Sequence, residues 1–215
     1  MMSVSPQAQP SVLTFDDSTV EESATRVLGR GQCLVIPTDT VYGIAARGDD
    51  FRGIARLQQL KGRSDGFPPP ILVAHPQDVW GLVAPVSDAV HRIAQAYWPG
   101  PLTLILPTHR HDLSLSSHLG TLGLRVPDHP QLQKLLSVTG PLAVSSANRH
   151  QLPPSTTVQE AMEQFGTDVE LYVDGGPTQG LTPSTVVDCT GEITVLRVGL
   201  ISREDILAQG GNTDA

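Results

Sequence analysis

The sequence predicts an α/β (α+β) domain with a twisted mixed sheet and helices packed on it. Two observations carry this. Short apolar runs that stop at Pro or Gly alternate along the chain with amphipathic stretches at helical spacing, and the last third is rich in strand-like runs. No internal repeat and no domain linker interrupts the 215 residues, so one domain is expected. It should span 16–208, with a flexible tail at 1–15 and a second tail at 209–215.

Taken in order, Val12 to Phe15 reads as a short strand within the first tail. Ser18 to Arg30 reads as a helix, with Ser18 and Glu21 as a capping box and Val20, Ala24, Val27 and Leu28 as its apolar stripe. Cys33 to Ile36 is an apolar run stopped by Pro37, which reads as a buried strand ending in the polar loop Thr38-Asp39-Thr40-Val41-Tyr42-Gly43. A helix begins at Asp49 or Asp50 and ends near Lys61-Gly62-Arg63. The run Pro68-Pro69-Pro70 forbids its continuation. Ile71–Ala74 is a strand, Pro76–Val83 a short helix, and Ser87–Trp98 a longer one. Pro99-Gly100-Pro101 stops it. Strands follow at Leu102–Leu106 and Leu122–Val126, separated by a polar loop. Pro130–Val138 is a helix, and Leu142–Val144 a strand that runs into Ser145-Ser146-Ala147-Asn148. Thr156 or Thr157 caps a helix over Val158–Phe165. Strands at Leu171–Val173, Ser184–Asp188 and Ile193–Arg197 precede a last helix, Arg203–Ala208, capped by Ser202.

Composition narrows the function. Hydrophobic residues make up 39% and charged residues 17% of the chain, as in a folded globular protein. No apolar run reaches membrane-spanning length, and no basic region followed by an apolar core suggests a secretory signal. Cys33 and Cys189 fall in strand-like runs and are expected as buried free thiols, with a cytoplasmic location. A net charge of −8 argues against non-specific nucleic-acid binding, which rests on phosphate neutralisation.

Three stretches share one design, an element end that delivers polar groups. Thr38-Asp39-Thr40-Val41-Tyr42 offers hydroxyls and a carboxylate after a strand, where ligands of open α/β sheets bind; an ordinary turn has the same composition. Lys61-Gly62-Arg63 offers two cations, and arginine grips phosphate bidentately while lysine acts as a point charge. Ser145-Ser146-Ala147-Asn148 offers hydroxyls and an amide. Arg125 and Arg197 lie in apolar strands, where an unpaired charge is costly; a bound anion or internal salt bridges would each account for them. His109, His111 and Asp112 have metal-ligand types but sit in a polar loop, and no metal site is expected. Nothing resembles a P-loop.

Together these stretches resemble the YrdC family of L-threonylcarbamoyladenylate synthases. PTDTVYGIAA, KGR, SSAN with the following Pro-Ser-Thr-Thr, WPGPLTLIL, LGLRVPDHP, PSTVVD and LRVGLIS match that family's segments collinearly over about residues 18 to 205. The resemblance implies a twisted sheet around a large basic cavity. It implies an enzyme that makes threonylcarbamoyl-AMP and pyrophosphate from ATP, L-threonine and bicarbonate. Mg²⁺ would accompany the ATP, and a separate threonylcarbamoyl transferase complex would pass the group to a tRNA adenosine at position 37 beside the anticodon. Direct tRNA binding is left open. Carried over position by position, Lys61, Arg63, Ser146 and Asn148 would hold the nucleotide phosphates, with Ser145 helping. Thr38, Thr40 and Tyr42 would line the threonine end, Arg125 would meet a carboxylate, and Ser184 and Arg197 would contact nucleotide. Asp39 is expected to brace its loop or pair with a cation, because a free carboxylate would repel anionic substrates. The sequence departs from the family at Phe67-Pro68-Pro69-Pro70-Ile71 and at Arg197-Val198-Gly199. The alternatives are a related enzyme that binds a similar adenylate with another carbamoyl donor, and a non-catalytic RNA-binding module.

Overall fold

The computed structural model describes residues 9–62, 68–109, 120–178, 180 and 182–211. Its centre is a mixed sheet of ten strands in the order β1-β8-β2-β3-β7-β4-β6-β5-β9-β10. The strands are β1 (Ser11–Thr14), β2 (Leu34–Ile36), β3 (Gly43–Arg47), β4 (Ile71–Leu72), β5 (Leu102–Pro107), β6 (Thr121–Arg125), β7 (Leu142–Ser146), β8 (Leu171–Asp174), β9 (Thr185–Asp188) and β10 (Thr194–Arg197). β8 pairs in parallel with both β1 and β2, β4 with β6, and β5 with β9, while the remaining neighbours are antiparallel. The helices are α1 (Val20–Gly29), α2 (Phe51–Lys61), α3 (Pro76–Trp80), α4 (Asp88–Tyr97), α5 (Pro130–Thr139), α6 (Val158–Phe165) and α7 (Arg203–Gly210).

Alternation along the strands sorts the core. Leu34, Ile36, Leu171 and Val173 point to the side covered by α1 and α5, where Ala24, Leu28, Leu132 and Leu136 meet them. Val35, Ile44 and Tyr172 point the other way, onto Leu57 and Leu60 of α2 and Ala161 and Phe165 of α6. A third cluster packs Val90, Ile93, Trp98 and Ile206 against Leu102, Leu104, Leu124 and Val187. Helices therefore cover both faces, which is why the strands read as continuous apolar runs.

Several expectations shift. The short strand read at Val12 to Phe15 is found over Ser11–Thr14, as an edge strand with Ser11 opposite Leu171 and Thr14 opposite Asp174. The strand Gly43–Arg47 went unrecognised in the sequence: it carries Ile44 between Gly43 and two alanines, a composition with little strand character. The capping box at Ser18 is absent. α1 begins at Val20, its N-cap Thr19 makes no side-chain cap bond, and the Asp17 carboxylate instead accepts from the Thr14 N–H at 2.7 Å. By contrast Asp50, Thr157 and Ser202 cap α2, α6 and α7 through their side chains.

Candidate active site

The site lies where strand ends and loops converge in two groups. The first comprises the end of β2, the start of β3 and the end of β7. Ile36 pairs with Gly43 and Gly43 with Ser146. Gly43 is needed there, because a Cβ would lie 2.5 Å from Val144 Cγ1. Between β2 and β3, Thr38 Oγ1 donates to Val41 O at 2.7 Å and accepts from Thr40 N at 3.1 Å. The Thr38 and Thr40 hydroxyls lie 3.0 Å apart. Both threonines are buried. The loop is thus a hydroxyl-stabilised turn, and this turn is also what presents the candidate residues.

Lys61 is the last residue of α2. Gly62 follows in the left-handed conformation (φ 66°) and closes the helix, so the Lys61 side chain projects from the helix end towards β7. It is 4% exposed. Its ammonium donates to Ser146 O (2.7 Å), Asn148 O (2.6 Å) and Asn148 Oδ1 (2.8 Å), and lies 3.5 Å from Ser146 Oγ. Ser146 Oγ donates to Asn148 Oδ1 at 2.6 Å. The Asn148 amide donates to Arg149 O and Leu152 O. Lys61, Ser146 and Asn148, drawn from two distant stretches, therefore form one knot. Arg63 lies outside the described residues. Ser145 faces the opposite side of β7 from Ser146 and pairs with Ile44.

Tyr42, expected at the threonine end, lies in the loop after β2. Its side chain is fully buried. The phenol donates to Gly176 O at 2.8 Å and accepts from Gly175 N at 3.2 Å. Burial, partly offset by the Gly175 N–H and assisted by the Asp174 carboxylate, pushes its pKa up to about 12. It stays protonated, and it fastens the loop after β8 to the loop after β2.

The second group comprises the end of β6, the starts of β5 and β9, and the end of β10. Leu104 pairs with Leu124, Leu102 with Thr185, and Arg197 with Val186. Arg125, 6% exposed, donates through Nε to Gly100 O (3.2 Å), through one terminal nitrogen to Thr40 Oγ1 (3.2 Å), and through the other to Asp39 Oδ1 (2.6 Å). These bonds join the two groups. Along the sheet, Arg125 is level with Leu72, and Leu72 with Leu142 at the start of β7, the end away from Ser146. The contact to Asp39 and Thr40 thus joins opposite ends of the strands, out of reach of sequence spacing. Asp39 does pair with a cation, and the salt bridge is buried on both sides. Arg197 donates to Ser184 O through two nitrogens (3.1 and 3.0 Å) and to Ser184 Oγ at 3.3 Å. Arg197 is exposed at the residue level, and partial desolvation of its guanidinium, then the Arg125 charge, lower its pKa.

Two residues here escaped the sequence reading. Thr103 Oγ1 lies 2.9 Å from Ser184 Oγ, and a buried threonine inside the apolar run LTLIL was its only signal. Ser155, 1% exposed, ties the Asn148 turn back, with Oγ donating to Ala147 O at 2.6 Å and its carbonyl accepting from Tyr42 N. Among the described residues no group of three or more His, Cys, Asp or Glu could hold a metal ion, and no helix is long and apolar enough to cross a membrane. His111 and Asp112 fall outside the described residues.

The family model described as Sua5/YciO/YrdC, Telomere recombination, matches residues 26–199. The chain belongs to this family. A Mycobacterium tuberculosis relative is 40% identical over 203 residues, 90% of this chain and 93% of its own length. The threonylcarbamoyl-AMP synthase of Bacillus subtilis is 32% identical over 200 residues, 91% of this chain and 58% of that protein. Among solved structures, Pyrococcus abyssi Sua5 complexed with L-threonine superposes with a TM-score of 0.82 at 29% identity. The alignment covers 93% of this chain and 60% of that one, so this chain spans under two thirds of that Sua5-type protein.

Proposed function

We propose that this chain is an L-threonylcarbamoyl-AMP synthase that works at the joined strand ends described above. The observation that carries the reading is the Lys61–Ser146–Asn148 knot bridged through the Thr38–Thr40 turn to Arg125, in a chain whose relatives include proteins named for this activity. In the first step the amine of L-threonine and bicarbonate combine to a carbamate with loss of water. A carbamate oxygen then attacks the α-phosphorus of ATP, the bond to the bridging oxygen breaks, and pyrophosphate leaves. Both reactants are anions. Catalysis therefore calls for fixed cations and in-line positioning more than for a strong base.

In this reading Lys61, Ser146 and Asn148 hold the nucleotide phosphates, and Arg63 shares that role. Arg125, backed by Thr38 and Thr40, receives the threonine or carbamate carboxylate, and Ser184 and Arg197 meet the nucleotide. Tyr42 acts by holding its two loops together. Lys61 is already hydrogen-bonded to the β7 turn, so its role on phosphate includes shaping that turn. Mg²⁺ arrives with ATP, held by phosphate oxygens and water, and a separate transferase carries the product's acyl group to tRNA.

The test is pyrophosphate release with each substrate omitted in turn. Release should need ATP, bicarbonate and L-threonine together and should fall in Ser146→Ala, with ATP weakened more than threonine. Release that ignores threonine would sink the proposal.

A further inference from the structure

The run Leu102-Thr103-Leu104-Ile105-Leu106 puts its three leucines on the face of β5 that packs against Val90 and Ile93 of α4 and Ile206 of α7. Thr103 points to the other face and is 3% exposed. In the neighbouring strand β9, Thr185 is level with Leu102. Ser184, one residue earlier, therefore shares the face of Thr103. The two hydroxyls lie 2.9 Å apart. A valine would fill the space of Thr103 and suit a strand equally well. What the hydroxyl adds at this position is its bond to Ser184.

Counting protons shows what that bond does. A hydroxyl donates one hydrogen bond and accepts two, and an arginine only donates. A terminal nitrogen of Arg197 donates to Ser184 Oγ at 3.3 Å, which fills one acceptor position of the serine. Among the described residues, the Thr103 hydroxyl has Ser184 Oγ as its one partner. Two hydroxyl protons thus share a single bond, and one proton is left without an acceptor in the protein. A buried proton in that state is costly. Thr103 lies inside β5, between β6 and β9, with its methyl 3.7 Å from where a Cβ on Gly123 would stand. Ser184 precedes β9 beside Arg197, at the strand ends where the substrates are placed. When Thr103 donates, both acceptor positions of Ser184 are filled, and the surplus proton belongs to the serine and faces the site.

We propose that Thr103 is a positioning residue that, by donating to Ser184 Oγ, makes the Ser184 hydroxyl an obligate donor to an acceptor atom of the nucleotide. This rests on the reading that Ser184 and Arg197 meet the nucleotide. An acceptor on the ligand, a phosphate or ribose oxygen or a ring nitrogen, takes the surplus proton and completes the Arg197–Ser184–Thr103 set. A ligand group that only donates meets a filled oxygen and is rejected. Thr103 itself does not touch substrate. It acts by denying Ser184 the option of spending its proton inside the sheet.

The experiment is a double-mutant cycle read by calorimetric titration with two probes, ATP and L-threonine. The proteins are wild type, Thr103→Val, Thr103→Ser, Ser184→Ala and the Thr103→Val/Ser184→Ala double variant. Ser184→Ala should weaken ATP on the order of tenfold, and Thr103→Val by about three- to tenfold, with L-threonine changed by less than about twofold in both. The melting temperature of Thr103→Val should not fall. Thr103→Ser keeps the hydroxyl and should hold ATP within about twofold of wild type. In the Ser184→Ala background, Thr103→Val should cost less than about a further twofold, because the group it orients is gone. Full additivity in the cycle would overturn the proposal, as would Thr103→Val binding ATP like wild type while Ser184→Ala does not. If Ser184→Ala fails to fold, the two Thr103 variants decide alone: valine must weaken ATP and serine must not, and equal affinity overturns the idea. Ser184→Ala that weakens L-threonine instead of ATP would strike the placement of Ser184 on the nucleotide, and Thr103→Val read on L-threonine would still decide the role of the hydroxyl.

Discussion

Replacing Lys61 by methionine isolates the ammonium from its stem. Methionine keeps most of the buried aliphatic volume, so the packing of Leu57 and Leu60 around the end of α2 should hold. Three bonds from a charged donor disappear, to Ser146 O, Asn148 O and Asn148 Oδ1. The acceptors fare differently. Ser146 O still receives Asn148 N at 2.9 Å, and Asn148 Oδ1 still receives Ser146 Oγ. Asn148 O loses its bond from the ammonium. A buried carbonyl left unsatisfied costs about 1–3 kcal/mol, and loosening of the turn adds to this, while relief of a buried ammonium subtracts. The net expectation is a loss of roughly 2–4 kcal/mol. For a chain of this size that lowers the melting temperature by roughly 5–15 °C. ATP affinity, measured by calorimetry below the transition, should fall together with stability, because the same turn carries Ser146 and Asn148. A variant that loses ATP affinity with an unchanged melting temperature would make Lys61 a phosphate ligand with no part in shaping the turn, contrary to this expectation.

Other outcomes follow from the same structure. Gly199→Ala would place a Cβ 2.2 Å from Pro183 O and 2.5 Å from Thr185 N, both backbone atoms, so the Ser184 segment must move; ATP affinity should drop at least severalfold with a lowered melting temperature, and wild-type values for both would contradict it. His129 caps α5 through an unprotonated Nδ1, and burial lowers its pKa from the ordinary 6.5. The neutral form is therefore the one favoured by the fold, so its stabilisation is complete above about pH 6.5 and is lost as pH falls through the depressed value. His129→Asn, which can cap without titrating, should flatten that part of a urea-stability profile against pH; an unaltered slope would remove His129 from the account. Burial pushes both the Cys33 and Cys189 thiols up to about 12, so neither should be alkylated by iodoacetamide at pH 8 until denaturant is added. Rapid labelling of native protein would show that one of them is accessible.

Much of the fold was legible because it is local. Apolar runs stopped by proline marked β2 and β5, an apolar run into Ser145-Ser146 marked β7, and Asp49 or Asp50, Thr156 or Thr157, and Ser202 marked helix starts, of which Asp50, Thr157 and Ser202 supply the capping oxygen. β3 was missed because Gly43 is selected by close packing against Val144 of β7 and Ala46 by close packing against Gly53 of α2, a tertiary demand that overrides strand preference. The capping box at Ser18 failed because Asp17 took over the turn. At the site, the three polar stretches were visible as residue types, and Lys61, Ser146 and Asn148 do meet. Their mutual bonding was not visible, nor was the Tyr42 hydroxyl turning to the loop after β8, since each depends on strand order. The expected pairing of Asp39 with a cation came from charge logic alone, and the structure supplies the partner.

Synthesis of threonylcarbamoyl-AMP is read most directly from the product itself. Labelled bicarbonate, ATP, Mg²⁺ and L-threonine should give a labelled adenylate whose mass is that of threonylcarbamoyl-AMP, with one pyrophosphate released per adenylate formed. It should vanish when threonine is omitted. Formation of AMP or ADP without any carbamoylated adenylate, at a rate indifferent to threonine, would contradict the account.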